Sequence, residues 1–329
     1  MADKTESKQM ISAYNSNKVR VSYCQMALAL LACLPLVATG NTYDPYNASS
    51  STGDSSATYR SIVPTGTDQN RSSDVKPASS ELEDMEVLWA TSSGGDRSDR
   101  FNSVVARRTD LTSVAVGSTM SISSGRRDAW IAAFDSSGQM QWQTPVGGAR
   151  DDEAFGIVDL PDGSVVVVGT TASSGAGGTG GLVARLDKNG MVMWQTLVDT
   201  PDADALYAVT ALSSGDLVVA GTSGSSRALV ARIEIDGRLV WQKQYSTDVP
   251  DTVHDLSVFA NDDILLIGEL TDLFDANAAL TRMSSAGDVV WHKTFGGDST
   301  GQLTAGVTMA NDDVFVVGVK NTDDLDDQG

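Results

Sequence analysis

The chain has 329 residues and a formal net charge of −20 at neutral pH. That length suits one large β-domain or two ordinary ones, and that charge argues against nucleic acid or an anionic bilayer as a partner of the folded domain. The only histidines are His254 and His292, which excludes a zinc site built from several imidazoles. Both cysteines, Cys24 and Cys33, lie near the N-terminus, so the remainder of the chain has no thiol for a disulfide or a metal.

The first predicted element is an address. Lys18 and Arg20 precede an apolar run from Met26 to Val37, and Ala38, Thr39 and Gly40 follow it. A basic flank, an apolar stretch and small residues form a secretory signal pattern, expected over residues 1–40 with cleavage after Gly40. The run is about a dozen residues, short of the roughly 20 that span a bilayer as a helix. Two alternatives stand beside cleavage. "LLAC" resembles a lipoprotein box, which would make Cys33 the lipidated first residue, and the run could instead remain as an uncleaved anchor. The expected location is secreted, periplasmic or cell-envelope, or lipid-anchored if Cys33 is modified.

Residues 41–85 contain 10 Ser and 5 Thr and no hydrophobic periodicity. Such a segment cannot bury enough apolar surface to offset its ordering entropy, and it is expected to be a disordered linker. Its single strand-like stretch is Thr58–Val63.

From residue 86 to 319 a unit repeats. One landmark is a tryptophan, at Trp89, Trp142, Trp194, Trp241 and Trp291. The other is an apolar run ending in glycine, at Gly117, Gly169, Gly221, Gly268 and Gly318. The two landmarks keep step to within one residue, and a period near 50 residues marks a propeller or solenoid array. Each unit reads as four strands, a to d. Strand b is apolar on both faces, so it is expected to be covered on both. A Gly-containing turn joins strand c to the Trp-bearing strand d, which is hairpin chemistry. The fold class is therefore all-β, a β-propeller of about five four-stranded blades. The recurring Trp is expected to pack one blade's outer strands against the next blade.

The pattern "VARLDKNGMVMWQ" with its partner run "GSVVVVG" resembles bacterial repeat propellers of the pyrroloquinoline-quinone-like group, over about residues 86–319. That group mixes dehydrogenases, outer-membrane assembly lipoproteins and secreted proteins, so the resemblance implies a fold more than an activity. Its dehydrogenases are larger and use a vicinal cysteine pair and a metal. The repeat region here has no cysteine, and the quinone is not carried over.

Ring closure is expected from a composite blade. The repeat opens on a strand-d phrase, Glu86–Thr91, and its last unit stops after strand b at Gly318. Pairing the two leaves a third strand to be supplied by Thr58–Val63, by the segment after Lys320 or by a partner chain, unless the blade has three strands or the sequence is a piece of a longer one. Residues 320–329 read as an acidic tail.

The connections from d to a and from b to c are longer and more variable than the others, and variable loops on a rigid frame are where binding concentrates. Asp151, Asp152, Glu153, Asp202, Asp204, Asp251 and Asp298 are expected to gather at one entrance of the central channel. As turn caps they are structural; as a cluster they could hold Ca²⁺, which takes six or more oxygens, or a basic patch of a partner. A carboxylate pair for glycoside cleavage would need a defined separation and one raised pKa, and nothing in the sequence marks such a pair. No nucleophile elbow, phosphate loop or dinucleotide fingerprint is present. The leading expectation is a non-enzymatic exported propeller that binds an unidentified protein or glycan. The alternatives are an envelope-assembly lipoprotein anchored through Cys33 and a carbohydrate-active enzyme.

Overall fold

The computed structural model describes residues 8–15, 18–23 and 90–320, with gaps at 108, 111, 176–177, 226, 247–248, 272–275 and 296–300. The chain divides into two units. One joins residues 1–40 to residues 91–329; the other, residues 41–90, lies outside the described residues except for Ala90.

The described secondary structure is all β. Strands β1 (Lys8–Asn15) and β2 (Lys18–Tyr23) come first. The first sheet follows with β3 (Asp99–Ala106), β4 (Ser113–Thr119), β5 (Asp128–Phe134) and β6 (Met140–Val146). The second has β7 (Asp152–Asp159), β8 (Val165–Thr171), β9 (Gly180–Leu186) and β10 (Val192–Val198). The third has β11 (Asp204–Ala211), β12 (Leu217–Ser223), β13 (Arg227–Ile233) and β14 (Leu239–Tyr245). The fourth has β15 (Thr252–Val258), β16 (Ile264–Thr271), β17 (Ala276–Met283) and β18 (Val289–Phe295). The fifth begins with β19 (Gly301–Thr308) and β20 (Val314–Lys320). Every sheet is antiparallel, and in the first four the strands lie in chain order. Five such four-stranded sheets in succession are the blades of a β-propeller.

The fifth sheet is composite, in the order β19-β20-β1-β2. Lys8 to Tyr14 pair with Lys320 to Val314, and Met10 to Asn15 pair with Tyr23 to Lys18. The N-terminal segment thus supplies both outer strands, in place of the closure expected from Glu86–Thr91. Of that stretch only Ala90 and Thr91 are described, and they lie in no strand; Thr58–Val63 and the tail lie outside the described residues. The register shows why the segment fits. Met10 faces Gly318 as Leu182 faces Gly169, so "ISAYNSNKVRVSY" stands where the second sheet has "VARLDKNGMVMWQ". Lys18 and Arg20, read above as the flank of a signal, belong to the alternating outer strand.

Strand b is apolar throughout because consecutive residues serve different neighbours. Val165 and Val167 pack with Val114, Val116 and Ile131 of the first sheet, while Val166 and Val168 pack with Leu206, Leu217 and Val219 of the third. The same alternation joins the third sheet to the fourth and the fourth to the fifth. At about 25 cal/mol per Å² of apolar area removed from water, this sheet-to-sheet burial is the main stabilising contribution.

The outer strands are held by the recurring Trp. Trp142 of β6 covers Gly190 in the β9–β10 turn, where a Cβ would come within 2.4 Å of the ring. Its indole N–H donates to Lys188 O (3.1 Å), and the Thr144 hydroxyl donates to Gly190 O (2.7 Å). Trp194 repeats this over Gly237, with its N–H on Ile235 O (3.1 Å) and Thr196 on Gly237 O (2.6 Å). Trp241 lies over Gly287, where Tyr245 OH takes the place of the threonine (2.6 Å to Gly287 O). These turn glycines have φ near +80 to +93°, so the hairpin needs glycine for its backbone and the neighbouring Trp needs it for space.

Trp291 sits differently. Trp291 of β18 is half-buried and packs against the core that the fourth sheet shares with Leu303, Val314 and Val316 of the fifth, with the Lys293 ammonium 5.6 Å from its ring centroid. The sequence between β1 and β2 contains no glycine, unlike the c–d connections of the other sheets. Trp142, Trp194 and Trp241 thus each cover a turn glycine of the next sheet, and Trp291 packs against the core shared by the fourth and fifth sheets. The physical reason is the composite sheet: its outer hairpin comes from a different part of the chain and does not carry the repeat's turn. Trp89 lies outside the described residues.

Candidate functional site

Each inner strand contains one β-bulge at the same register. The pairing skips Asn102 in β3, Phe155 in β7, Tyr207 in β11, His254 in β15 and Thr304 in β19. A bulge adds one residue to a strand and re-aims its side chain. Opposite each bulge sits the glycine that ends the apolar run. A Cβ on Gly117, Gly169, Gly221, Gly268 or Gly318 would lie 1.8–2.1 Å from a carbonyl oxygen of the bulged strand, which no side chain can tolerate. The recurring glycine is the space into which the bulge folds.

The five extra residues converge. Asn102, Phe155, Tyr207, His254 and Thr304 line one cavity of about 300 Å³, together with Ser103, Gly156, Ile157, Ala208, Val209 and Asp255. The innermost strand of every sheet therefore contributes to a single axial cavity. Phe155 and Tyr207 are 5.2 Å apart between ring centroids, and Tyr207 and His254 are 6.5 Å apart. His254 Nε2 lies 2.9 Å from Gln302 Nε2; since only the amide nitrogen must donate, the imidazole accepts there. Glu269 Oε1 is 3.8 Å from the same nitrogen. Asn102 Nδ2 donates to Glu153 Oε1 (2.7 Å) and Ala154 O (2.8 Å), tying the first inner strand to the second. Burial raises the Tyr207 phenol above its ordinary value, so it is neutral at pH 7.

Asp255 stands out among the lining residues. Its counterparts beside the other bulges are Ser103, Gly156, Ala208 and Ala305, all small. Its carboxylate accepts the N–H of Leu256 (2.8 Å) and, across the gap to β19, the N–H of Gly306 (2.9 Å). Burial pushes its pKa up to about 6, against the opposing pull of those two N–H groups and of His254. A carboxyl whose folded pKa lies above its unfolded value binds protons more strongly in the folded state, so stability falls as pH rises through the interval between the two. Compared with Asp255→Asn, the unaltered chain is expected to lose stability between pH 4 and pH 7. Denaturant melts of both chains across that range measure the difference, and a gap that does not change with pH would contradict the assignment.

The rim lies at the end of the sheets where strand a begins. Asp152 faces Thr171, which faces Gly180, and Gly181 faces Val198, so the d–a and b–c connections share this end. The acids predicted here are placed individually. Asp152 is buried and accepts Gly148 N (2.8 Å), Ser173 Oγ (2.7 Å) and Thr171 Oγ1. Asp204 accepts Thr200 N (2.6 Å) and Thr200 Oγ1 (2.9 Å), and Asp251 accepts Thr271 N (2.8 Å). Glu153 receives Arg100 on both oxygens (2.5 and 2.6 Å) and has Arg127 at 3.7 Å. Asp151 pairs with Arg126 (3.8 Å) and Asp202 with Arg227 (3.0 Å). Asp298 lies outside the described residues. Among the described residues no three His, Cys, Asp or Glu side chains converge as a metal-ligand set. Asp152, Asp204 and Asp251 thus cap their own loops, and Asp151, Glu153 and Asp202 pair with arginines.

Asp99 caps the first inner strand in the same way, accepting Gly95 N (2.8 Å), Thr119 Oγ1 (2.6 Å) and Ser121 Oγ (2.6 Å). Burial alone would raise its pKa; these donors outweigh it and hold the carboxyl well below the usual range. Sequence reasoning missed this residue and a set of arginines. Arg97 and Arg150 occupy equivalent places in "GGDRSD" and "GGARDD", each with its N–H on a serine hydroxyl, Ser121 (3.1 Å) or Ser173 (3.0 Å). With Arg100, Arg126 and Arg127 they make the rim of the first two sheets mixed in charge rather than acidic.

The sequence profile described as "Outer membrane protein assembly factor BamB" matches residues 83–264, more than half of the chain. The chain belongs to the BamB family. The match runs from before β3 to the first residue of β16, so it holds the first three blades and the inner strand of the fourth. No curated protein matches the chain significantly. Among solved structures, a protein of unknown function from Bacteroides caccae is 10% identical, over 57% of this chain and 60% of that one, with a TM-score of 0.39. The Neurospora crassa Pan2 WD40 domain is 12% identical over 65% and 87%, with a TM-score of 0.32. A eukaryotic initiation factor is 7% identical over 64% and 55%, with a TM-score of 0.33. This BamB-family chain thus spans about 60% of the Bacteroides caccae protein. Likenesses at these scores carry no functional inference.

Proposed function

We propose that this BamB-family propeller is a non-enzymatic scaffold of the cell envelope or the extracellular space, and that it holds a protein partner on its rim. The observation that carries the reading is the rim of the first two sheets, where exposed Arg97, Arg100, Arg126 and Arg150 stand among Asp151 and Glu153 on loops fixed by buried Asp caps. Arginine on a rigid frame is favoured at protein interfaces because its planar fork pairs with carboxylates at small entropic cost. Two features of the cavity lining bear on the carbohydrate-active and quinone alternatives. Asp255 is the one carboxylate among the described lining residues, so no pair of carboxylates of the glycosidase kind faces that space. Among the described residues no Lys or Arg lines it either, which suits neither a quinone polycarboxylate nor another anionic cofactor.

The envelope location rests on the family and on the apolar run Met26–Val37, and it meets a constraint in the fifth sheet. Cleavage after Gly40, or lipidation of Cys33, would remove β1 and β2; a span at Met26–Val37 would leave them across the bilayer from the propeller.

A photo-crosslinking side chain at Arg126 or Arg150 tests the scaffold reading against one at Asn189, on the opposite end of the sheets. The rim positions are expected to give one discrete adduct in cells, lost when Arg97 and Arg127 are changed to Glu. Adducts at Asn189 alone, or rim adducts insensitive to the charge reversal, would reject it.

A further inference from the structure

The axial cavity has a chemistry that a protein-binding rim does not require. Five bulges aim one residue each at it, and the residues differ by sector. The second and third inner strands present the rings of Phe155 and Tyr207, 5.2 Å apart, backed by Ile157 and Val209. The fourth presents His254 and Asp255. One side is thus aromatic and apolar, and the other carries a single carboxylate.

We infer that the axial cavity binds a small organic ammonium ion, its apolar body against Phe155 and Tyr207 and its charge at Asp255. Three observations converge on this ligand class. Asp255 is the formally charged group among the lining residues, and it occupies a register that holds Ser, Gly, Ala and Ala in the other sheets. Two of its lone pairs are met by Leu256 N–H and Gly306 N–H, and a carboxylate has others to offer a cation. Aromatic faces attract cations through the ring quadrupole, most strongly where water is excluded. The whole chain, at −20, draws cations toward it and repels anions. A cavity of about 300 Å³ admits a ligand of one ring and a short side chain.

The charge at Asp255 is set by few neighbours. Tyr207 on β11, His254 on β15 and Glu269 on β16 are the titratable side chains facing this sector. Strand β19, which packs against β15, has none. With its pKa near 6, Asp255 is mostly protonated at pH 5 and mostly ionised at pH 7. Affinity for a cation should therefore tighten about tenfold between those values.

The test uses three probes of one shape on the full chain: benzylammonium, benzyl alcohol and benzoate, titrated by calorimetry or by ligand-observed NMR. Benzylammonium is expected to bind saturably at pH 7, about tenfold more tightly than benzyl alcohol, and benzoate is expected not to bind. Asp255→Asn should make the ammonium and the alcohol equal, and Tyr207→Ala should weaken both. The pH series on the unaltered chain decides the matter even if Asp255→Asn does not fold. It is repeated with His254→Gln, which should keep the tenfold change because the imidazole is not its source. Equal binding of the three probes, a flat pH profile, or a profile abolished by His254→Gln would overturn the inference.

Discussion

Deleting Lys8–Tyr23 is expected to lower the melting temperature of the propeller by about 10–20 °C. The deletion removes both outer strands of the fifth sheet and leaves β20 paired only with β19. Seven residue pairs between β1 and β20 are lost, and the N–H and C=O groups of Val314–Lys320 that met them turn to water. At about 0.5–1.5 kcal/mol net for each backbone hydrogen bond, the loss is on the order of 5 kcal/mol. A domain of this size shifts by about 2–4 °C per kcal/mol. A two-stranded remnant is marginal by itself, so the effect should spread to Leu303, Val314 and Val316, which join the core shared with the fourth sheet. Thermal melts of the full and shortened chains measure this. The mass of the chain recovered from cells adds a second reading: a product that begins at residue 41 and melts like the full chain would show that the fifth sheet is completed in another way.

Gly169→Ala is expected to cost about 3 kcal/mol or more, and to unfold a substantial fraction of the protein at physiological temperature. The new methyl would sit 1.8 Å from Glu153 O and 2.8 Å from Ala154 Cα, both in the backbone of the bulged strand. No rotamer relieves a clash between a Cβ and a main chain, so either the bulge straightens or β7 leaves β8. Straightening would withdraw Phe155 from the axial cavity. Gly215→Ala is the control. Its φ is +88° but a Cβ there meets nothing within 4 Å, so the cost should be about 1 kcal/mol, the strain of a left-handed backbone alone. Chemical denaturation of both variants compares them, and similar costs would mean that the close approach at Gly169 is not what fixes the residue.

The regular part of the fold was readable because its landmarks answer strict steric demands. Gly117, Gly169, Gly221, Gly268 and Gly318 recur because a bulge presses on each, and Trp142, Trp194 and Trp241 recur because each covers the next sheet's turn glycine. Such positions admit one residue type, so they survive as a visible period. Trp291 shared that period without sharing the glycine, because the hairpin beyond it is built from the N-terminal segment, far away in sequence. The bulges themselves were not readable. One extra residue in "AFGIVDL" or "ALYAVTAL" only blurs the two-residue alternation of strand a. The cavity was hidden for the same reason, since Asn102, Phe155, Tyr207, His254 and Thr304 share a place without sharing a chemistry. Strands β1 and β2 were obscured by context. Lys18 and Arg20 sit just before an apolar run and looked like part of an address, and only the pairing of Met10 with Gly318 shows their kinship to strands c and d. The rim acids were located by their recurrence. Their bonds to Gly148, Ser173, Thr200 and Thr271 cap individual loops, which a count of carboxylates cannot reveal.

The repeated bulge separates two inheritances within one chain. The residues that hold the blades together sit in the alternating pattern of strand b and in the glycine opposite each bulge, and they tolerate little change. The added residue of each inner strand has no cross-strand partner in the pairing, so it can be exchanged with little disturbance to the sheet. A gene that grew by copying one blade would begin with five identical residues around its axis. It could then diversify them one at a time, at five independent addresses, while the frame stayed constant. Asn, Phe, Tyr, His and Thr at those addresses give one lining of five chemistries on a frame that repeats.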